Sequence, residues 1–99
     1  MRKSLIVLAA LALVAPAAHA APPTAEQKSE FLATCLKVAP EAVELCTCKA
    51  DAAMTLIDSD FIAVVIASMK GKPVESRYYD AYNQYIGRST EACGMGTAM

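Results

Sequence analysis

The chain has 99 residues, with 9 Lys and Arg against 10 Asp and Glu and a net charge of −1. It contains one histidine, four cysteines and no tryptophan. This near-neutral balance has no basic run, which argues against nucleic acid, whose phosphates need clustered Lys and Arg. It argues equally against electrostatic docking on anionic membranes.

The first twenty residues have the form of an export signal. Arg2 and Lys3 open it, Leu5 to Val14 form an apolar run, and Ala18-His19-Ala20 offers the small residues of a cleavage site. The apolar run is too short for a membrane span. We therefore expect cleavage after Ala20, a periplasmic or secreted location, and no stable membrane span in the mature chain. Removal of Arg2 and Lys3 leaves 7 of the 9 basic residues against all 10 acidic ones, a net charge of −3. His19 leaves too, which excludes imidazole general-base and Ser–His or Cys–His nucleophile schemes in the remainder. Residues 21–99 are expected to form a single small helical domain, with 94–99 as a loose tail.

Ala21-Pro22-Pro23 is an extended lead-in. Thr24 with Gln27 three residues later is a capping-box pattern that starts the first helix. Phe31, Leu32, Cys35 and Val38 supply its apolar stripe. The residue before a proline is pushed out of the α region, so Ala39 should end this helix. Pro40 then fits the first position of a second helix, over 41–57. Glu41 and Glu44 lie near its start, where negative charge is favourable. Val43, Cys46, Ala50, Ala53, Met54 and Ile57 fall on one arc, and Leu45, Cys48, Ala52 and Leu56 on a second. A helix apolar on two sides belongs at the centre of a bundle, and its alanines allow close approach.

Cys46 and Cys48 are two positions apart on that helix, a rotation of roughly 200°, so their sulfurs diverge. They do not meet the geometry of a mutual disulfide. Of the three pairings of four cysteines, two remain: Cys35–Cys46 with Cys48–Cys93, or Cys35–Cys48 with Cys46–Cys93. The first is favoured, because Cys46 is closer than Cys48 to level with Cys35 across a short bend. A chain this small buries little core and gains from such staples in an oxidising compartment.

Asp58-Ser59-Asp60 breaks the pattern and provides N-cap chemistry for a third helix over 61–69. Lys70-Gly71 stops it. This helix is apolar nearly all round, which marks either the core or a surface meeting something apolar. A fourth helix follows Lys72-Pro73 and ends at Gly87. Val74, Tyr78, Ala81, Tyr82 and Tyr85 take one face; Ser76, Arg77, Asp80, Asn83 and Gln84 take the other. Ser89 then caps a last turn that carries Cys93.

The fold class is thus all-α, a disulfide-stapled bundle of about four helices. The expected function is non-catalytic binding of another protein, of adaptor, inhibitor or immunity type. Tyr79, at the edge of the tyrosine face, and Phe61 and Val65 on the apolar helix are the candidate binding residues. No cofactor or metal is expected. Two alternatives remain open: a periplasmic chaperone or lipid carrier using the apolar 61–69 helix, and a Cu(I)- or Zn-binding or thiol-redox protein using Cys46 and Cys48. The carboxylate pairs, Asp58 with Asp60 and Glu41 with Glu44, are explained by capping.

Overall fold

The structure is a computed structural model that describes residues 21–94; the expected export signal, its cleavage site after Ala20 and the tail 95–99 lie outside the described residues. The described chain is all-helical. Four α-helices, α1 (Ala25–Val38), α2 (Val43–Leu56), α3 (Ser59–Met69) and α4 (Tyr79–Ala92), are joined by short connections, with a 3₁₀ turn at Ser76–Tyr78 leading into α4.

Each helix end has a local cause. The capping box at the start of α1 is complete: Gln27 N donates to Thr24 Oγ1 at 3.0 Å, and Thr24 N donates to Gln27 Oε1 at 3.0 Å. The same glutamine ties α1 to α3. Its Nε2 donates to Ser59 O at 2.9 Å, while Ser59 Oγ donates to Gln27 Oε1 at 3.0 Å. The lead-in is docked on this joint, because Ser59 N donates to Ala21 O at 2.8 Å and Pro23 is buried. Asp58 caps α3, accepting from Phe61 N at 2.8 Å. The helix closes through Gly71 N to Ser68 O and Lys72 N to Ala67 O, both 3.0 Å, with Gly71 at φ +96°. This paired closure needs the left-handed conformation that glycine adopts freely.

Several boundaries differ from the sequence reading. The third helix begins at Ser59 rather than 61, directly after its Asp58 cap, and the fourth begins only at Tyr79, leaving Val74 outside any helix. The second helix begins at Val43, not Glu41. Ala42 N donates to Ala39 O at 3.0 Å, so Pro40 and Glu41 are the central pair of a turn rather than the opening of a helix. Proline's fixed φ suits the second position of such a turn as well as the first of a helix, and the short bend needs the turn. In consequence Val38 and Val43 lie at the exposed tip of the hairpin, 63% and 54% accessible, instead of extending the core stripe.

The fourth helix, in turn, does not stop at Gly87. It runs on to Ala92, and Ser89 is a fully buried interior residue whose Oγ donates to Ile86 O at 3.3 Å rather than the cap of a separate turn. The cost of a mid-helix glycine is about 1 kcal/mol. Burial of Tyr85 and Ser89 on either side of Gly87, and the disulfide at Cys93, outweigh it. Gly87 has an ordinary φ, and a Cβ there would meet nothing within 4 Å. Gly87→Ala should therefore raise stability by about 0.5–1 kcal/mol in urea unfolding. No gain would mean that the helix breaks at this point.

The core joins all four helices: Phe31 from α1, Ala50 and Ala53 from α2, Ile62, Val65 and Ile66 from α3, and Tyr85 from α4. Helix α1 packs on both α2 and α3, and α4 packs on α2. The buried Ala50 and Ala53 let α2 run through the middle, where its small side chains give room to neighbours on two sides. Surface ion pairs cross two of these contacts, Lys28 with Asp51 between α1 and α2 and Lys70 with Glu30 (2.8 Å) between α3 and α1.

The cysteines pair as favoured. Cys35 bonds Cys46 and Cys48 bonds Cys93, with Cα atoms 5.7 and 5.8 Å apart. The divergence of Cys46 and Cys48 across α2 thus clamps that helix to α1 on one side and to α4 on the other.

Candidate functional site

Helix α4 lies antiparallel to α2. Its end is held at Cys48 near the start of α2, and its beginning reaches the α2–α3 joint, where the Tyr78 ring meets Phe61 at a centroid distance of 5.8 Å. Two side-chain links hold it in place. Tyr82 OH lies 2.9 Å from Ser68 Oγ, and since that hydroxyl donates to Val65 O at 2.8 Å, Tyr82 is the donor between them. Tyr85 OH donates to Lys49 O at 3.4 Å.

Between these helices a groove of about 560 Å³ stays open. One wall is the end of α2, with Thr55, Leu56 and Ile57; Asp58 and Phe61 close one end. The other wall is α4, which contributes Tyr78 just before its start and then Ala81, Gln84, Tyr85 and Arg88. The last four stand at i, i+3, i+4 and i+7, one continuous stripe of a helix. Ala81 is the gap in that stripe. Its small side chain, between Tyr78 and Tyr85, is exposed and makes the depression. The volume falls in the range of sites that hold a small ligand or a few side chains of a partner.

The electrostatics are modest. Asp58 is occupied as the α3 cap. Arg77 stands outside the groove, paired with Glu75 at 2.8 Å and with its guanidinium 4.7 Å from the centre of the Tyr78 ring. Burial lowers the Lys49 pKa, and its ammonium donates to Thr90 Oγ1 at 3.2 Å. The Tyr85 hydroxyl is pushed up to about 12, chiefly by burial. A group whose folded pKa is raised contributes stability that is fully present below its unfolded value of 10 and is lost as pH climbs through about 12. Tyr85→Phe should flatten this alkaline loss. Urea midpoints of the two proteins at about pH 9 and pH 11 would converge as pH rises, and a constant gap would mean that the hydroxyl's ionisation is not coupled to folding.

The three candidate binding residues fall in three different places. Phe61 is half-buried on the groove wall. Tyr79 is 54% exposed but lies outside the groove lining. Val65 is 3% exposed and packs in the core, so it offers no surface; the apolar helix turns Ile62, Val65 and Ile66 inward and presents Ala63 outward. That placement corrects Val65 as a binding residue: with helix α1 packed over this face, its side chain is already covered. Sequence reasoning missed Leu56, Ile57, Ala81 and Arg88 as a group. Arg88 escaped because the helix was expected to end at Gly87, one residue too early to complete the i, i+7 stripe.

All four cysteines are in disulfides, with Cys46 fully buried. Among the described residues no group of three or more His, Cys, Asp or Glu side chains is arranged to hold a metal, and no helix is long and apolar enough to cross a membrane. Comparison with known proteins finds no matching family model, no matching curated protein and no matching solved structure.

Proposed function

We propose that this chain is an exported, non-catalytic protein-binding domain, of adaptor, inhibitor or immunity type, that docks its partner in the groove between α4 and the α2–α3 joint. The observation that carries the reading is the groove itself: its lining combines aliphatic and aromatic side chains with a few polar ones, Thr55, Asp58, Gln84 and Arg88, the composition of a partner-binding pocket. Two disulfides suit an oxidising compartment, periplasmic or extracellular, in keeping with the expected export signal.

The alternatives make heavier demands. A chaperone or lipid carrier working through α3 must first uncover Ile62, Val65 and Ile66, so it should bind a hydrophobic dye at about pH 3 but not at pH 7. A Cu(I), Zn or redox role for Cys46 and Cys48 requires both disulfides to be reduced first.

The test is a photo-cross-linking side chain placed at Ala81, inside the groove, or at Ala63, on the outer face of α3, in the protein expressed in its native compartment. The docking reading expects a discrete protein adduct from position 81 and none from position 63. Adducts from neither position, or the same adducts from both, would remove it.

A further inference from the structure

We infer that the segment seated in the groove is a short stretch of partner polypeptide that carries a carboxylate beside apolar side chains, the carboxylate being taken by Arg88. The inference rests on the docking reading above and names the chemistry of its occupant. Its ground is the distribution of cations. Lys28 is paired with Asp51, Lys70 with Glu30 and Arg77 with Glu75, and Lys49 donates to Thr90. Lys37, Lys72 and Arg88 make no ion pair among the described residues, and of all these cations Arg88 alone lines the groove. It stands one turn beyond Gln84 and two turns beyond Ala81 on the same stripe, and lines the same groove as both. The other charge on the lining, Asp58, is engaged by the backbone of α3 and sits at the opposite end with Phe61.

A planar, five-donor guanidinium at the edge of an apolar groove is suited to bidentate capture of a carboxylate. The aliphatic and aromatic side chains of Leu56, Ile57 and Phe61 would meanwhile receive an apolar anchor. The spacing sets the length of the occupant. Tyr78 and Arg88 are ten residues apart, about 15 Å along a helix, which four or five residues of extended chain cover at about 3.3 Å each. The chain's own excess of acidic residues makes this local: the site selects for an acidic partner against the general field of the protein, so the preference should vanish when one side chain is changed.

The experiment is selection of a random seven-residue peptide display library on the disulfide-intact protein, followed by affinity measurements on the enriched peptides by fluorescence polarisation. The expected result is enrichment of peptides combining Leu, Ile, Phe or Trp with Asp or Glu. Arg88→Glu should weaken these at least tenfold and shift selection toward Lys and Arg, while Ala81→Trp, which fills the depression from an exposed position, should abolish binding. Acidic enrichment that Ala81→Trp abolishes but Arg88→Glu leaves unchanged would overturn the role of Arg88 and leave the docking reading standing. Failure of any peptide to enrich would overturn both. Two further outcomes would overturn the polypeptide occupant: tighter, Arg88-dependent binding of a fluorescent fatty acid, or self-association of the wild type, seen by sedimentation, that Ala81→Trp removes.

Discussion

Replacing Cys48 and Cys93 together by alanine is expected to cost about 4 kcal/mol of stability, from the entropy that a bridge across 45 residues removes from the unfolded chain. The same reasoning gives about 3 kcal/mol for Cys35–Cys46, which spans 11 residues. Either is a large share of a total of roughly 5–15 kcal/mol. The two losses should differ in place as well as in size. Helix α4 packs on α2, and its far end is held by Tyr82 and Tyr78 against α3. Without Cys48–Cys93, hydrogen exchange should speed first over 79–92, while Phe31, Ile62 and Ile66 keep α1 and α3 together. Without Cys35–Cys46, the hairpin tip around Val38 and Val43 should loosen first, since those residues are already exposed. Urea unfolding gives the size and exchange gives the place. A loss below about 1 kcal/mol for Cys48–Cys93, or uniform exchange across all four helices, would show that α4 is held mainly by packing.

The features legible in the sequence were local ones. Thr24 with Gln27, Asp58 before Phe61, and Lys70-Gly71 each specify a helix end through hydrogen bonds made within five residues. The two-residue spacing of Cys46 and Cys48 is equally local, since the pitch of one helix sends the sulfurs to opposite sides. What escaped was decided by tertiary contacts. Pro40 satisfies two backbone roles, and only the closeness of α1 to α2 selects the turn. Gly87 signals a stop, yet burial of Tyr85 and Ser89 carries the helix through it. The groove joins residues 55–61 to residues 78–88, and its walls become neighbours only once Cys48–Cys93 and the Tyr82–Ser68 contact lay α4 alongside α2. Periodicity names a face as apolar but does not say which part of it another helix will cover. For the same reason Val65 read as a candidate surface while Ala81 fell on the apolar face of the fourth helix, and the structure reverses the two, burying Val65 and exposing Ala81.

That reversal yields the second large effect, a comparison of Val65→Asp with Ala63→Asp. Val65 is 3% exposed in the core formed with Phe31, Ile62 and Ile66. An ionised carboxylate there loses its hydration, at a cost of several kcal/mol, and deletes a buried apolar side chain as well. The combined loss should exceed about 4 kcal/mol at pH 7, which brings a domain at the lower end of roughly 5–15 kcal/mol to the edge of unfolding. Burial raises the pKa of the introduced acid above its unfolded value of about 3.9. The charge penalty is therefore absent below that pH and grows as pH rises, so helicity by circular dichroism should recover in part on acidification. Ala63, two positions earlier, faces outward, and Asp there should change stability by no more than about 1 kcal/mol, the size of a helix-propensity difference. If both variants fold equally well, the apolar side of α3 is accessible after all, and the chaperone or lipid-carrier reading regains its surface. If only Val65→Asp unfolds, α3 is structural, and binding must be sought at the groove that its first turn helps to line.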